Sequence, residues 1–262
     1  EVFTPMEWRD ALGIVPEDYI SLTSFTHHPF GEEFILEVPD NHAHEMFLNV
    51  PLDDLESAVN HALSNGYTVA WDADVSNEGF SFSNGWAVMP EIASLVEEWE
   101  SFDAMPEEPA TNQASRQSDF DSQSTTDDHL MHIVGRARDS KNRPYFIIKN
   151  SWGNDNAFGG RQFVSMDYFR HFTIGILLHS EALPMSVLAM ITDTARNERR
   201  GAAGNERRRS EGFQERRDAN TIGGDRQENE ERNQRIQKRI EDWEQRRNQG
   251  RENDSENDLR EN

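Results

Sequence analysis

One stretch limits what this chain can fold into more than any other: residues 125–153, TTDDHLMHIVGRARDSKNRPYFIIKNSWG. Residues 131–138 and 144–150 are apolar-rich runs, the second carrying Tyr145, Phe146, Ile147 and Ile148. Between them, Asp139-Ser140-Lys141-Asn142-Arg143 is polar turn chemistry closed by Pro144. The pattern predicts a β-hairpin folded about residues 140–142. Such a hairpin sets Asn150 opposite residue 131 or residue 132. If the partner is 131, residue 129 lies on the same face one diagonal away, because strand faces repeat every two residues. His129 and Asn150 then meet at the open end of the hairpin. A histidine oriented by an amide is the base half of a nucleophilic catalyst, lacking only the thiol or hydroxyl it would activate.

The rest of the first 187 residues reads as short strands around one clear helix. Leu52, Leu55, Val59, Ala62 and Leu63 recur at helical spacing, with Asp53, Asp54 and Glu56 at the positive end and Gly66 just past the other. A shorter helical pattern runs from Thr4-Pro5 through Trp8, Ala11 and Leu12. Strands are predicted over 19–25, 34–38, 67–74, 161–166 and 174–179. In 67–74, Val69, Trp71 and Ala73 share one face. Tyr168, Phe169 and Phe172 join the last two strands. By composition, residues 103–124 read as an acidic linker with Pro106 and Pro109. Several short strands in a small region predict an antiparallel sheet closing towards a barrel, in an α+β class.

Composition separates this body from the remaining C-terminal segment. Hydrophobic residues make up 35% of the chain, below the usual 45–50% or so. Residues 188–262 hold 17 basic and 18 acidic side chains, which leaves 9 basic and 31 acidic in 1–187, a net of −22. So acidic a body is a poor binder of nucleic acid or anionic membrane. No apolar run approaches the roughly 18–20 residues of a membrane helix. The segment from 188 repeats Asn-Glu-Arg-Arg at 197–200 and 205–208, and only Ile236, Ile240 and Trp243 form a helical stripe. Too little surface can be buried there to offset ordering entropy, so a disordered or partly helical tail is expected. The chain begins at Glu1 without a charged-then-apolar leader, and the reading is of a fragment or a processed product. There is no cysteine, which rules out disulfides and thiolate metal sites within these residues.

Other constellations stand beside His129 and Asn150. Lys149-Asn150-Ser151-Trp152-Gly153 is an unusual way to end a plain strand, and an indole there can shield an Asn–His bond from water. His132, three residues on, falls on the opposite face and reads as structural or surface. Asp127 and Asp128 adjoin the histidine, although an adjacent side chain points to the other face. Asp72 and Asp74 share the outward face of their strand as a possible carboxylate pair. His27-His28 and Asp40-Asn41-His42-Ala43-His44 have the spacing of metal ligands without a full set, so no metal is assigned. Metal-dependent hydrolysis by Asp40, His42 and His44 is the alternative that a bound metal would support. Serine can act as nucleophile, but no Gly-x-Ser-x-Gly elbow is present.

The run Asp128-His129-Leu130-Met131-His132-Ile133-Val134-Gly135, together with Ile148-Lys149-Asn150-Ser151-Trp152-Gly153, resembles the histidine and asparagine motifs of papain-like cysteine peptidases. Within that superfamily it is most similar to the bleomycin hydrolase and aminopeptidase C branch. Arg116-Gln117, Phe120-Asp121, Thr125-Thr126-Asp127, Ser21-Leu22-Thr23-Ser24, Thr26-His27-His28-Pro29 and Tyr67-Thr68-Val69-Ala70-Trp71 extend the likeness over residues 1–187. The resemblance implies a papain-like fold, mainly its antiparallel β-barrel half with one packed helix. It implies hydrolysis of amino-terminal residues from peptides through a Cys-His-Asn triad, without a cofactor. His129 would be the base, Asn150 its orienter and Trp152 the shield. The family's cysteine and oxyanion-hole glutamine lie in a preceding half that these residues lack, so the chain is expected to be inactive alone. A peptide is the implied substrate, and the family's hexameric ring makes a homo-oligomer a possible partner. The resemblance also makes the second half of 103–124 an ordered approach to the site. The compartment stays open, with the cytoplasm favoured. The alternative reading is a non-catalytic peptide-binding or interaction protein built on the same half-fold.

Overall fold

The computed structural model describes residues 2–96 and 106–191. The expected tail lies outside the described residues from position 192 onward. Ten strands form one sheet, in the order β2-β3-β1-β10-β4-β7-β8-β9-β6-β5. They are β1 (Tyr19–Thr23), β2 (Glu33–Ile35), β3 (Met46–Asn49), β4 (Val69–Ala73), β5 (Phe80–Ser81), β6 (Trp86–Ala87), β7 (His129–Arg138), β8 (Pro144–Lys149), β9 (Arg161–Ser165) and β10 (Thr173–His179). Pairing is antiparallel except where β1 meets β3 and β6 meets β9. Alternation explains the sheet's buried face: in β4, Val69, Trp71 and Ala73 are buried while Ala70 and Asp72 are less so.

Among the described residues, the helices that accompany the sheet include α1 (Pro5–Ala11), α2 (Leu52–Ser64), α3 (Pro90–Val96), α4 (Gln113–Asp121) and α5 (Met166–Phe172), and residues 185–191 are helical as well. The single packed helix expected from the sequence is α2, which buries Leu52, Leu55, Ala58, Val59 and Ala62. That expectation needs correcting, because α4 and α5 pack as well. The aromatic run read as a joint between strands is α5, capped by the Ser165 hydroxyl and burying Tyr168, Phe169, His171 and Phe172. Arg170 ties it to α2 through Glu56 at 2.8 Å and Asp53 at 2.7 Å. The stretch read by composition as a linker contains α4, started by an Asn112 capping box. Composition misled there because the helix is held by two polar residues. Arg116 and Gln117 are buried although the segment is polar overall.

Arg116 is 1% exposed. It donates to the carbonyls of Ser24 at 2.9 Å and of Arg170 and His171 at 3.0 Å each, and its guanidinium lies 4.4 Å from the Phe25 ring centroid. It therefore caps the C-terminal carbonyls of α5 and locks α4 to the end of β1. Trp71, fully buried, donates its indole N–H to Thr173 Oγ1 at 2.8 Å, and Thr173 donates onward to the Phe169 carbonyl. These bonds join β4, β10 and α5 into the platform beside which β7 lies.

Candidate active site

His129 is the first residue of β7 and pairs with Ala73 on β4. Its position is set by the segment just before it. Asp74, 1% exposed, accepts from Thr126 N–H at 2.9 Å and from Ser76 N–H at 2.8 Å. Asp128 accepts from Val75 and Ser76 N–H at 3.2 and 3.1 Å and from the Thr126 hydroxyl at 2.8 Å. Together they pin residues 125–128 to the end of β4. The pairing of Asp72 with Asp74 is not observed. β4 ends at Ala73, Asp74 turns inward, and both of its oxygens are used structurally. Asp72 instead meets Asp127, and burial first, then Asp127, pushes its carboxyl up to about 8. Burial also raises Asp127, with Asp40 adding to it. Of the two, Asp72 is the carboxyl whose protonated form is the more strongly favoured. On its sheet face Asp72 is opposite Leu130, one residue out of phase with His129.

Asn150 comes directly after β8, where His132 is opposite Lys149. The pairing shifts register between Ile133 and Gly135, a bulge at Val134. His129 Nε2 lies 2.8 Å from Asn150 Oδ1. Ser151 N–H donates to the same oxygen at 2.7 Å, and Asn150 Nδ2 donates to Gln162 Oε1 at 3.2 Å and towards Met131 Sδ at 3.7 Å. These partners settle which end of the amide is which. The oxygen faces the imidazole, so Nε2 carries the proton and Nδ1 keeps a lone pair. Trp152 stacks on the imidazole with centroids 4.9 Å apart and planes 24° apart. Asn150 is buried, whereas Trp152 is 46% exposed. The structure thus brings His129, Asn150 and Trp152 together. A base, its orienting amide and an aromatic cover can move a proton between Nδ1 and a group presented to it.

Two neighbourhoods of this site were not singled out from the sequence. Phe80 and Phe82 set their ring edges against Trp152 at 5.7 and 5.5 Å. Their one-residue spacing was the available signal, since alternate residues of an extended segment share a face. Gln162 on β9 is opposite Ile148 on β8. A polar side chain on the buried side of an alternating strand was the signal there. His132 occupies the other face, with Nε2 2.7 Å from Thr68 Oγ1.

Among the described residues, the metal-capable group is His27, His28 and Glu37. Asp40, His42 and His44 do not form one; the His42 ring turns back to the Asp40 carbonyl at 3.1 Å. Hydrogen bonds account for the first group without an ion. Gln117 Oε1 accepts from Thr26 N–H at 2.5 Å, so Gln117 Nε2 is the atom facing Asp121 at 2.6 Å and His27 Nδ1 at 3.2 Å. His27 Nδ1 therefore accepts, and its protonated Nε2 donates to Glu37 at 3.3 Å. A metal at Nε2 would need the opposite tautomer.

The model of the Peptidase C1-like family matches residues 2–198. Aminopeptidase G of Lactobacillus delbrueckii subsp. lactis is 23% identical over 181 residues, covering 68% of this chain and 39% of that protein. The crystal structure of pepw from Lactobacillus rhamnosis superposes with a TM-score of 0.56 at 17% identity, covering 74% of this chain and 42% of that one. The chain thus spans about two-fifths of the length of these relatives, and its mixed sheet and helices have the fold of a papain-like peptidase.

Proposed function

Because the chain belongs to the Peptidase C1-like family, we propose that it forms the base-bearing side of a cysteine-type aminopeptidase. The observation that carries this reading is the 2.8 Å bond from His129 Nε2 to Asn150 Oδ1, which leaves Nδ1 as the working atom. In the proposed reaction, Nδ1 takes the proton of a thiol, and the thiolate attacks the carbonyl carbon of a peptide's first bond. The imidazolium then protonates the leaving amine, and water releases the acyl group by the reverse proton path. Asn150 keeps the ring aimed through both steps, and Trp152 keeps water from competing for the Asn150 oxygen. The substrate is a peptide with a free amino terminus, in line with the name of the Lactobacillus relative.

These 262 residues contain no cysteine, so the thiol comes from polypeptide outside them, and the chain by itself turns nothing over. A fluorogenic aminoacyl amide assay tests both parts. The purified chain should show no turnover. The chain produced together with a family half that carries the glutamine and cysteine should show turnover that falls at least about 10²-fold in His129→Ala, the low end for a general base. Turnover by the chain alone, abolished in His129→Ala, would overturn the inactivity. The same lack of cysteine favours a second reading, a peptide-binding protein without catalysis. Peptide binding with no turnover in the combined preparation would select it.

A further inference from the structure

The β4–β7 ladder stops at the pair Ala73–His129, so the candidate base sits where a strand is prone to fray. Asp74, the next residue of the first strand's chain, is 1% exposed. A carboxyl group is costly to bury unless its oxygens are hydrogen-bonded, and here both are. Oδ1 accepts from the Ser76 N–H at 2.8 Å and the Ser76 hydroxyl at 2.9 Å, and Oδ2 accepts from the Thr126 N–H at 2.9 Å. The main chain of Asp74 is tied to α5 at both of its polar groups. Its N–H donates to the Phe172 carbonyl at 3.0 Å, and its carbonyl accepts from the Tyr168 hydroxyl at 2.9 Å.

We infer that Asp74 is a positioning residue for His129, a post fixed on α5 whose side chain holds the chain entering β7. The bond to the Thr126 N–H continues the β4–β7 ladder past its last pair by means of a side chain. Asp128 returns the tie, accepting from the Val75 and Ser76 N–H groups at 3.2 and 3.1 Å. The arrangement at Asp74 calls for a carboxylate in particular. Each oxygen faces a backbone N–H, a donor whose direction the chain fixes and which cannot turn over. An asparagine there would set its NH2 group against one of them. The post itself is firm: Tyr168 is 0% exposed, and its hydroxyl also accepts from Asn77 Nδ2 at 3.0 Å. Through these contacts the place of His129, and so the reach of its Nε2 to Asn150, is referred to α5 as well as to β7.

The inference rests on the proposed role of His129, but its test needs neither a thiol nor turnover. Proton NMR of the chain as it stands reads exchange at the His129 imidazole Nε2–H, which the bond to Asn150 Oδ1 protects. Asp74→Ala and Asp74→Asn should both quicken that exchange about three- to tenfold, the equilibrium weight of one hydrogen bond. The backbone amides around Ile133, farther along β7 and fully buried, should keep the parent rate. That contrast separates a displaced histidine from a weakened fold. An unchanged imidazole rate in either variant would overturn the inference. So would an equal rise at the Ile133 amides, or loss of folding in both variants. Failure of the peptidase reading would appear only in turnover and would leave these exchange rates untouched.

Discussion

Trp152 lies nearly parallel to the His129 imidazole, with ring centroids 4.9 Å apart and planes 24° apart, and Phe80 and Phe82 meet the indole in T-shaped contacts with centroids 5.7 and 5.5 Å away. The indole is thus held against the His129 imidazole with contacts from another part of the chain. Trp152→Ala should cost about 1–2 kcal/mol of stability, since each aromatic pair is worth about 0.5–1.5 kcal/mol. It should also quicken hydrogen exchange at the imidazole Nε2–H. Chemical denaturation and proton NMR measure the two effects, and unchanged exchange would mean that the indole does not shield the bond.

Asn150→Ala removes the oxygen that accepts from His129 and from Ser151 N–H. It also leaves Gln162 Oε1 without its donor in the core. The loss should be about 1–3 kcal/mol, the cost of stranded buried polar groups. Asn150→Asp keeps the acceptor, restores the tautomer and places a negative charge beside the ring. It should therefore keep the Nε2–H tautomer of the imidazole, which nitrogen-15 spectra of His129 read directly.

The Asp72–Asp127 pair makes stability fall with rising pH. Asp72 binds its proton more tightly when folded, where burial and Asp127 push its carboxyl up to about 8, than when unfolded, where it titrates near 3.9 or so. Between those values the folded chain holds more protons than the unfolded one, so unfolding releases them and becomes easier as pH rises. Asp40 adds negative charge nearby, and the effect is complete once pH has passed the folded value. Asp72→Asn keeps a donor to Asp127 without the ionisation. At pH 8.5 it should be more stable than the parent by at least about 1.4 kcal/mol, one pK unit's worth, or roughly 3–5 °C in Tm. At pH 4 the two should melt alike.

Arg116 holds three backbone carbonyls from inside the core. Burial, and next the charge of Arg170, lower its pKa from the usual guanidinium value, and it remains charged at neutral pH. Arg116→Met should therefore destabilise the fold by about 3 kcal/mol or more, because those carbonyls lose their donors. Arg116→Lys should recover only part, since an ammonium cannot reproduce the planar fork of donors. Thermal unfolding of the two variants ranks them, and a Met variant as stable as the parent would remove Arg116 from the framework.

Much of this site was legible in local sequence because its members sit at strand ends with distinct side chains. The polar turn between two apolar runs placed the hairpin, and the alternation of Val69, Trp71 and Ala73 placed β4 with its buried face. The helices α4 and α5 were hidden for opposite reasons. α4 is mostly polar and is held by Arg116 and Gln117 reaching other segments, with Phe120 as its one aromatic, stacked on Phe25. α5 is so rich in aromatics that its seven residues read as strand or joint. Asp72 and Asp74 looked like a pair because period two was extended one residue past the true end of β4.

By itself the sequence determined the hairpin, its turn, and which residue types stand at its open end: a histidine, an asparagine and a tryptophan. It left Asn150 opposite either 131 or 132, and that single residue decides which face of the sheet His129 shares. Tertiary structure decided it. The bulge at Val134 separates the Ile133–Ile148 pair from the Gly135–Ile147 pair, so Lys149 meets His132 and Asn150 falls beside Met131. A bulge adds one residue to one strand only, and a slip of one residue reverses every side chain beyond it. Where that residue is absorbed depends on β4, which holds Ile133 opposite Val69, and on Ile147, against whose side chain Gly135 lies. These contacts join parts of the chain that are distant in sequence, and so they cannot be read from the hairpin alone.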